Sequence, residues 1–147
     1  LSILIYIILL SKLANSEFEI FIIFSILVSI MSDIGGLVIG RIFKGRKLTK
    51  ISPKKTISGS IGSFIFSLFL IPFFIHSLHN INLYLVIFIT VIISLSSQMG
   101  DLFISYIKRN ANVKNTSNLL PGHGGVLDRI DGIIFSIPVG FLILTSL

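Results

Sequence analysis

Cysteine and tryptophan are absent from the 147 residues, and only six acidic side chains stand against twelve basic ones. Without cysteine there is no disulfide framework and no thiol chemistry. Charge of either sign is scarce: 12% of residues are charged and 53% are hydrophobic, with a mean hydropathy of +1.00. That exceeds what a soluble domain of this length needs to fill one core, so the composition is that of an integral membrane protein. No internal repeat appears, and no low-complexity segment beyond an Ile/Leu/Phe bias.

What is present falls into apolar runs, roughly Leu1 to Leu13, Phe18 to Ile39, Ile57 to Ile75, Leu83 to Ile107 and Ile130 to Leu147. A helix needs about 20 apolar residues to cross a bilayer. The runs predict an all-α, polytopic membrane protein with about five transmembrane helices in a single domain, 1–147. The first run is short and the chain opens on Leu1, which predicts further spans upstream and a C-terminal fragment of a longer protein rather than a signal peptide.

Basic residues in short loops favour the cytoplasmic side. Arg41, Lys44, Arg46, Lys47, Lys50, Lys54 and Lys55 lie between the second and third runs, and Lys108, Arg109, Lys114 and Arg129 between the fourth and fifth. The opposite loops, near Glu17 and Glu19 and from His76 to Asn82, carry almost no positive charge. Both basic loops are therefore expected in the cytoplasm, of a bacterial inner membrane. Topology and anionic headgroups alone explain much of the larger loop.

The acids ask for more. Asp33, Asp101, Asp128 and Asp131 all lie within or at the ends of apolar runs, where an unpartnered carboxylate costs at least about 2.5 kcal/mol at mid-helix. Asp33 and Asp101 sit at matching depth below the basic loops and could meet. Ser94, Ser97, Asp101, Ser105 and Lys108 recur at helical spacing and share one face. Ser25, Ser29, Ser32, Gly36 and Gly40 form a small-residue counterpart, and Gly59 with Ser63 another. For these small residues the plainer account is close helix packing, and for the two aspartates a buried Asp–Lys pair.

Chemistry concentrates between Ser105 and Asp131. In Pro121-Gly122-His123-Gly124-Gly125 the glycines let backbone N–H groups approach an anion closely. Asp128 and Asp131 follow three apart at the start of the fifth run, where negative charge suits a helix N-terminus. Carboxylate and phosphate oxygens together make the usual shell of Mg²⁺.

In this stretch Ser105, Ile107, Lys108-Arg109, Lys114, Ser117, Leu120-Pro121, His123-Gly124-Gly125-Val126, Asp128-Arg129 and Asp131 fall in register with a known signature. Gly100-Asp101-Leu102, Ser52-Pro53-Lys54-Lys55-Thr56 with Gly59, and Asp33-Ile34-Gly35-Gly36 with Gly40-Arg41 agree with it. The chain, from about Asp33 to its end, resembles the C-terminal catalytic part of the phosphatidate cytidylyltransferases (CDP-diacylglycerol synthases). Three positions depart from the family's usual pattern. Asn115 and Ser58 stand where acids are usual, and Ile34 where a small hydroxyl residue is common.

The resemblance implies transfer of a cytidylyl group from CTP to phosphatidic acid in the bilayer, giving CDP-diacylglycerol and pyrophosphate. It implies catalytic roles for Asp101, Lys108, Arg109, His123, Asp128 and Asp131. It further implies that Ser52, Lys54, Lys55, Thr56, Lys114, Gly124, Gly125 and Arg129 bind CTP or lipid phosphate. Asp101 and Asp128 are the expected metal ligands, for Mg²⁺ with room for a second cation. His123 is expected to position phosphate rather than act as base, and His76 and His79 to be interfacial. No nucleic acid partner is implied, and a homodimer is compatible with the pattern. Two other classes stay open on the residues alone: a CTP-dependent lipid (polyprenol) kinase, and an inactive or transporter-like relative.

Overall fold

In the computed structural model the described residues are 16–49, 52, 55–78, 81–111 and 127–145, with the side chains of 16–18, 127–130 and 144–145 left aside. They form α1 (Ser16–Phe43), α2 (Ile57–Leu68), α3 (Ile71–Phe74), α4 (Leu83–Asn110) and α5 (Leu127–Thr145). The expected all-α architecture is found, and the predicted helix over Leu1 to Leu13 lies outside the described residues. Three stretches are long and apolar enough to cross a membrane: Glu19–Phe43, Ile57–Phe74 and Leu83–Asn110.

The boundaries follow local chemistry. α1 runs past Ile39 to Phe43, with Arg41 in its last turn, where a cation faces the negative end of the helix dipole. Lys44 then closes it with φ 41°, a left-handed conformation that costs a non-glycine residue about 1 kcal/mol. α4 is capped by Asn82, whose side chain accepts from the Tyr84 N–H at 3.1 Å, and its last turn holds Lys108 and Arg109.

One predicted element is corrected. The run Ile57 to Ile75 is not one helix but α2 and α3, separated by a turn at Phe69 and Leu70. Pro72 is the physical reason. It has no N–H to give the Leu68 carbonyl, and its ring crowds that carbonyl. The chain tightens instead, with Leu70 N–H donating to Ser67 O at 3.2 Å and Phe73 N–H to Leu70 O at 3.1 Å.

Packing differs between the two ends of the bundle. At the His76 end lies an apolar cluster of Phe24, Val28, Ile71, Leu78, Val86, Ile89 and Ile93, with Phe24 set edge-on to Phe74 at 5.2 Å. Toward the basic loops the contacts are made by small and hydroxyl residues. Without a hydrophobic drive between helices in lipid, close backbone approach and interhelical hydrogen bonds take its place. Ser29 bonds Ser97 at 2.7 Å, Ser32 bonds Ser94 at 3.0 Å, and Ser63 donates to Ser32 O at 2.7 Å. α1 and α2 meet glycine to glycine: a Cβ on Gly62 would stand 2.7 Å from the Gly35 carbonyl oxygen. The expected close-packing role of the small residues is thus observed. Large apolar side chains such as Ile30, Ile61, Phe69 and Phe88 point outward, as a lipid-facing surface requires.

Candidate active site

The segment between α1 and α2 folds back as a short antiparallel pairing, with Lys47 bridged to Thr56. Leu48 N–H donates to Lys55 O at 2.8 Å and Ile57 N–H to Arg46 O at 2.9 Å. Thr56 caps α2, its hydroxyl accepting from the Gly59 N–H at 3.0 Å. Ser58, at a position where an acid is usual in the family, accepts the Gly45 N–H at 3.3 Å, so it fastens the segment to the start of α2. The described residues of this segment thus form a fixed arch held to the start of α2.

Beneath the arch is a cavity of about 360 Å³ lined by residues of four elements and the arch itself. Asp33 comes from α1, Ser60 and Ser63 from α2, Gln98 and Asp101 from α4, Asp131 from α5, and Leu48, Ser52, Lys55 and Thr56 from the arch and the α2 cap. The two acids expected to meet, Asp33 and Asp101, do line one space, and Asp131 joins them. Lys55 is ion-paired with Asp101, and the two side chains keep 25% and 29% of their surface exposed, so water still reaches them. Lys108 Nζ lies 3.8 Å from Asp131 Oδ2 with both side chains nearly buried, and the same carboxylate accepts the Gly132 N–H at 3.0 Å. Three carboxylates and Lys55 thus share the cavity wall.

Of the residues named from sequence, Ser52, Lys55, Thr56, Asp101 and Asp131 line the cavity, and Lys108 reaches it through Asp131. Arg109 is exposed at the end of α4 and lines no part of it. Asp128 and Arg129 fall in the first turn of α5; their side chains, like Lys54, Lys114, His123, Gly124 and Gly125, lie outside the described residues. Sequence reasoning did not mark Ser60 or Gln98. Gln98 is one turn from Asp101 and from Ser94 on the polar face of α4, and that spacing was its available signal. Ser60 Oγ donates to Gln98 Oε1, which ties α2 to α4 at the cavity wall.

Every cavity donor to a cation is a hard oxygen, from carboxylates, hydroxyls or an amide, which suits Mg²⁺ and not a soft metal. Among the described residues no three acids or histidines form a protein-only cage. Mg²⁺ does not ask for one, since it binds through one or two carboxylates with waters and substrate phosphates.

Comparison with known proteins bears on this geometry. A model of the family described as "Cytidylyltransferase family" matches residues 1–147. The phosphatidate cytidylyltransferase of Staphylococcus haemolyticus (strain JCSC1435) is 41% identical over 124 residues, covering 81% of this chain and 46% of that protein. That of Rickettsia felis (strain ATCC VR-1525 / URRWXCal2) is 42% identical over 119 residues, 76% of this chain and 52% of the relative. That of Rickettsia prowazekii (strain Madrid E) is 42% identical over 144 residues, 92% and 62% respectively. The chain therefore spans about half the length of the curated relatives it matches.

Proposed function

The chain belongs to the cytidylyltransferase family, and from that footing we propose that it transfers the cytidylyl group of CTP to phosphatidic acid, making CDP-diacylglycerol and pyrophosphate. The observation that carries this reading is the cavity at the end of the apolar bundle, where Lys55, Asp33, Asp101 and Asp131 from separate elements converge beneath a basic arch.

The chemistry asks little of a base. The attacking group is a phosphate monoester with a second pKa of about 6, already largely ionised at neutral pH. One of its oxygens forms a bond to the α-phosphorus of CTP as the α–β anhydride bond breaks and pyrophosphate departs. No proton has to be removed, so His123 is assigned to holding phosphate.

The obstacle is repulsion between two anions, and it is met by positioned charge. Lys55 exchanges its bond to Asp101 for one to substrate phosphate. Lys108, with Lys54, Lys114 and Arg129, is assigned to further phosphate contacts, and Gly124 and Gly125 to backbone N–H contacts with the nucleotide phosphates; Arg109, which lines no part of the cavity, is assigned none. Asp101, with Asp128, would hold Mg²⁺, which when bound screens the phosphates and stabilises the departing pyrophosphate, and Asp131 would share in holding a second cation. Ser52 and Thr56 offer hydroxyls at the same opening. CTP arrives from water past the arch and phosphatidic acid from the bilayer, at the cytoplasmic face of a bacterial inner membrane.

The test is which phosphorus reaches lipid. With phosphatidic acid in vesicles and Mg²⁺ present, label from the α-position of CTP is expected in the chloroform-soluble product. Label from the γ-position entering lipid instead would assign the chain to phosphoryl transfer.

A further inference from the structure

Lys55 and Asp101 reach each other from two different helices. Lys55 immediately precedes the Thr56 cap of α2, and its carbonyl accepts from the Leu48 N–H at 2.8 Å, so its backbone moves with the start of α2. Asp101 moves with α4. α2 packs far more extensively on α1 than on α4, while residues of both α2 and α4 line the cavity. Whatever sets the span between α2 and α4 therefore sets the distance from this ammonium to this carboxylate.

A circuit of hydrogen bonds crosses that span. Ser60 Oγ of α2 donates to Gln98 Oε1 of α4. Gln98 Nε2 donates to Ser94 Oγ, one turn back on α4, at 3.5 Å. Ser94 is bonded to Ser32 of α1 at 3.0 Å, and the Ser32 carbonyl accepts from Ser63 Oγ of α2 at 2.7 Å. Ser63 shares a face with Ser60, so the path returns to the helix it left. Each stretch of the circuit carries a charged cavity residue: Asp33 follows Ser32, Asp101 lies one turn beyond Gln98, and Lys55 lies just ahead of the cap below Ser60. Gln98 is the member that bridges α4 to α2. A carboxamide suits this place because it carries acceptor and donor on separate atoms of one plane, receiving the Ser60 hydroxyl with one and fixing its own orientation on Ser94 with the other.

We propose that Gln98 is a positioning residue: its bond to Ser60 holds α2 and α4 at the separation that sets Lys55 opposite Asp101. It acts through that pair rather than on the reacting phosphorus. The kinetic consequence rests on the cytidylyl-transfer reading, whereas the span itself does not.

The experiment has two readouts, both on the full chain in lipid nanodiscs. Because the chain has no cysteine, Lys55→Cys with Asp101→Cys introduces a single thiol pair, and its rate of cross-linking by a short bifunctional thiol reagent reads the span without turnover. Adding Gln98→Met, which keeps the length and removes both polar atoms, is expected to slow that cross-linking severalfold. The second readout is kinetic. Gln98→Met alone should lower kcat about tenfold or more, since misplaced groups lose rate steeply. Lys55→Gln, expected to cost about 10²-fold in the unmodified chain, should cost about tenfold or less when added to Gln98→Met, because residues acting as a unit are not additive. A Gln98 that served stability alone would lower the thermal midpoint and leave the cost of Lys55→Gln whole. Ser60→Ala cuts the same bond from the other side and serves where Gln98→Met does not fold; Ser60→Thr, which keeps the hydroxyl, should retain the unmodified behaviour. An unchanged cross-linking rate, or an undiminished cost of Lys55→Gln, in a folded variant overturns the assignment. If cross-linking slows as expected but the unmodified chain makes no liponucleotide, Gln98 sets the span and the transfer reading fails.

Discussion

At the scale of single residues the account turns on Asp101, which faces Lys55 and shares its cavity with Asp33 and Asp131. Lys55→Gln removes the one cation among the described lining residues and leaves Asp101 without its partner. Because a positioned charge at the reacting phosphates is worth about 10²-fold in rate, CDP-diacylglycerol formation is expected to fall by about that factor, with the KM for CTP rising, as steady-state kinetics in nanodiscs would show. Thr56→Ala removes the α2 cap and should cost about 1 kcal/mol of stability, read as a lower midpoint in thermal unfolding followed by circular dichroism. The acids were legible in the sequence because charge inside an apolar run is costly and therefore conspicuous. Gln98 was not, since a neutral amide among serines carries no such cost, and its role appears only when Ser60 and Ser94 are seen on either side of it.

At the scale of elements, α1 and α2 are held together by glycine faces and serine hydroxyls rather than by bulk. Gly62→Val should force them apart, because the new side chain meets the Gly35 backbone carbonyl oxygen and the root of the Ile39 side chain rather than a flexible side-chain end. Overpacking of this kind costs about 1–3 kcal/mol, so the thermal midpoint in detergent should drop; an unchanged midpoint would mean the helices are not in this contact. The spacing of Ser25, Ser29, Ser32, Gly36 and Gly40 is enough by itself to mark such a face, as is the polar stripe of α4. The break between α2 and α3 is hidden from hydropathy, which runs unbroken from Ile57 to Ile75, and Pro72 alone marks the point where the hydrogen-bond ladder fails. The pairing of Lys55 with Asp101 was open to sequence only as one of several cation–acid choices. It takes the arch, fixed by the Lys47 to Thr56 bridge, to bring the two together.

At the scale of the whole molecule, an apolar end near His76 and a polar, cavity-bearing end near the arch divide the bundle, and Arg46, Lys47 and Lys55 of the arch and Lys108 and Arg109 in the last turn of α4 lie at the polar end. The absence of cysteine makes the orientation directly testable. In right-side-out vesicles, single cysteines replacing Lys47 or Arg109 should resist an impermeant maleimide until the membrane is opened, whereas one replacing Ser77 should label at once. The membrane character was readable from composition, while the order in which helices adjoin one another was not, because each apolar run fits a neighbour about as well as the next. The central claim is that this cavity carries out cytidylyl transfer, and its most direct test is incorporation of α-phosphate label from CTP into lipid by the unmodified chain and by Asp101→Asn, both confirmed folded by their thermal midpoints. The account predicts labelled CDP-diacylglycerol from the first and a loss of about 10²-fold or more in the second; equal incorporation by both would contradict it.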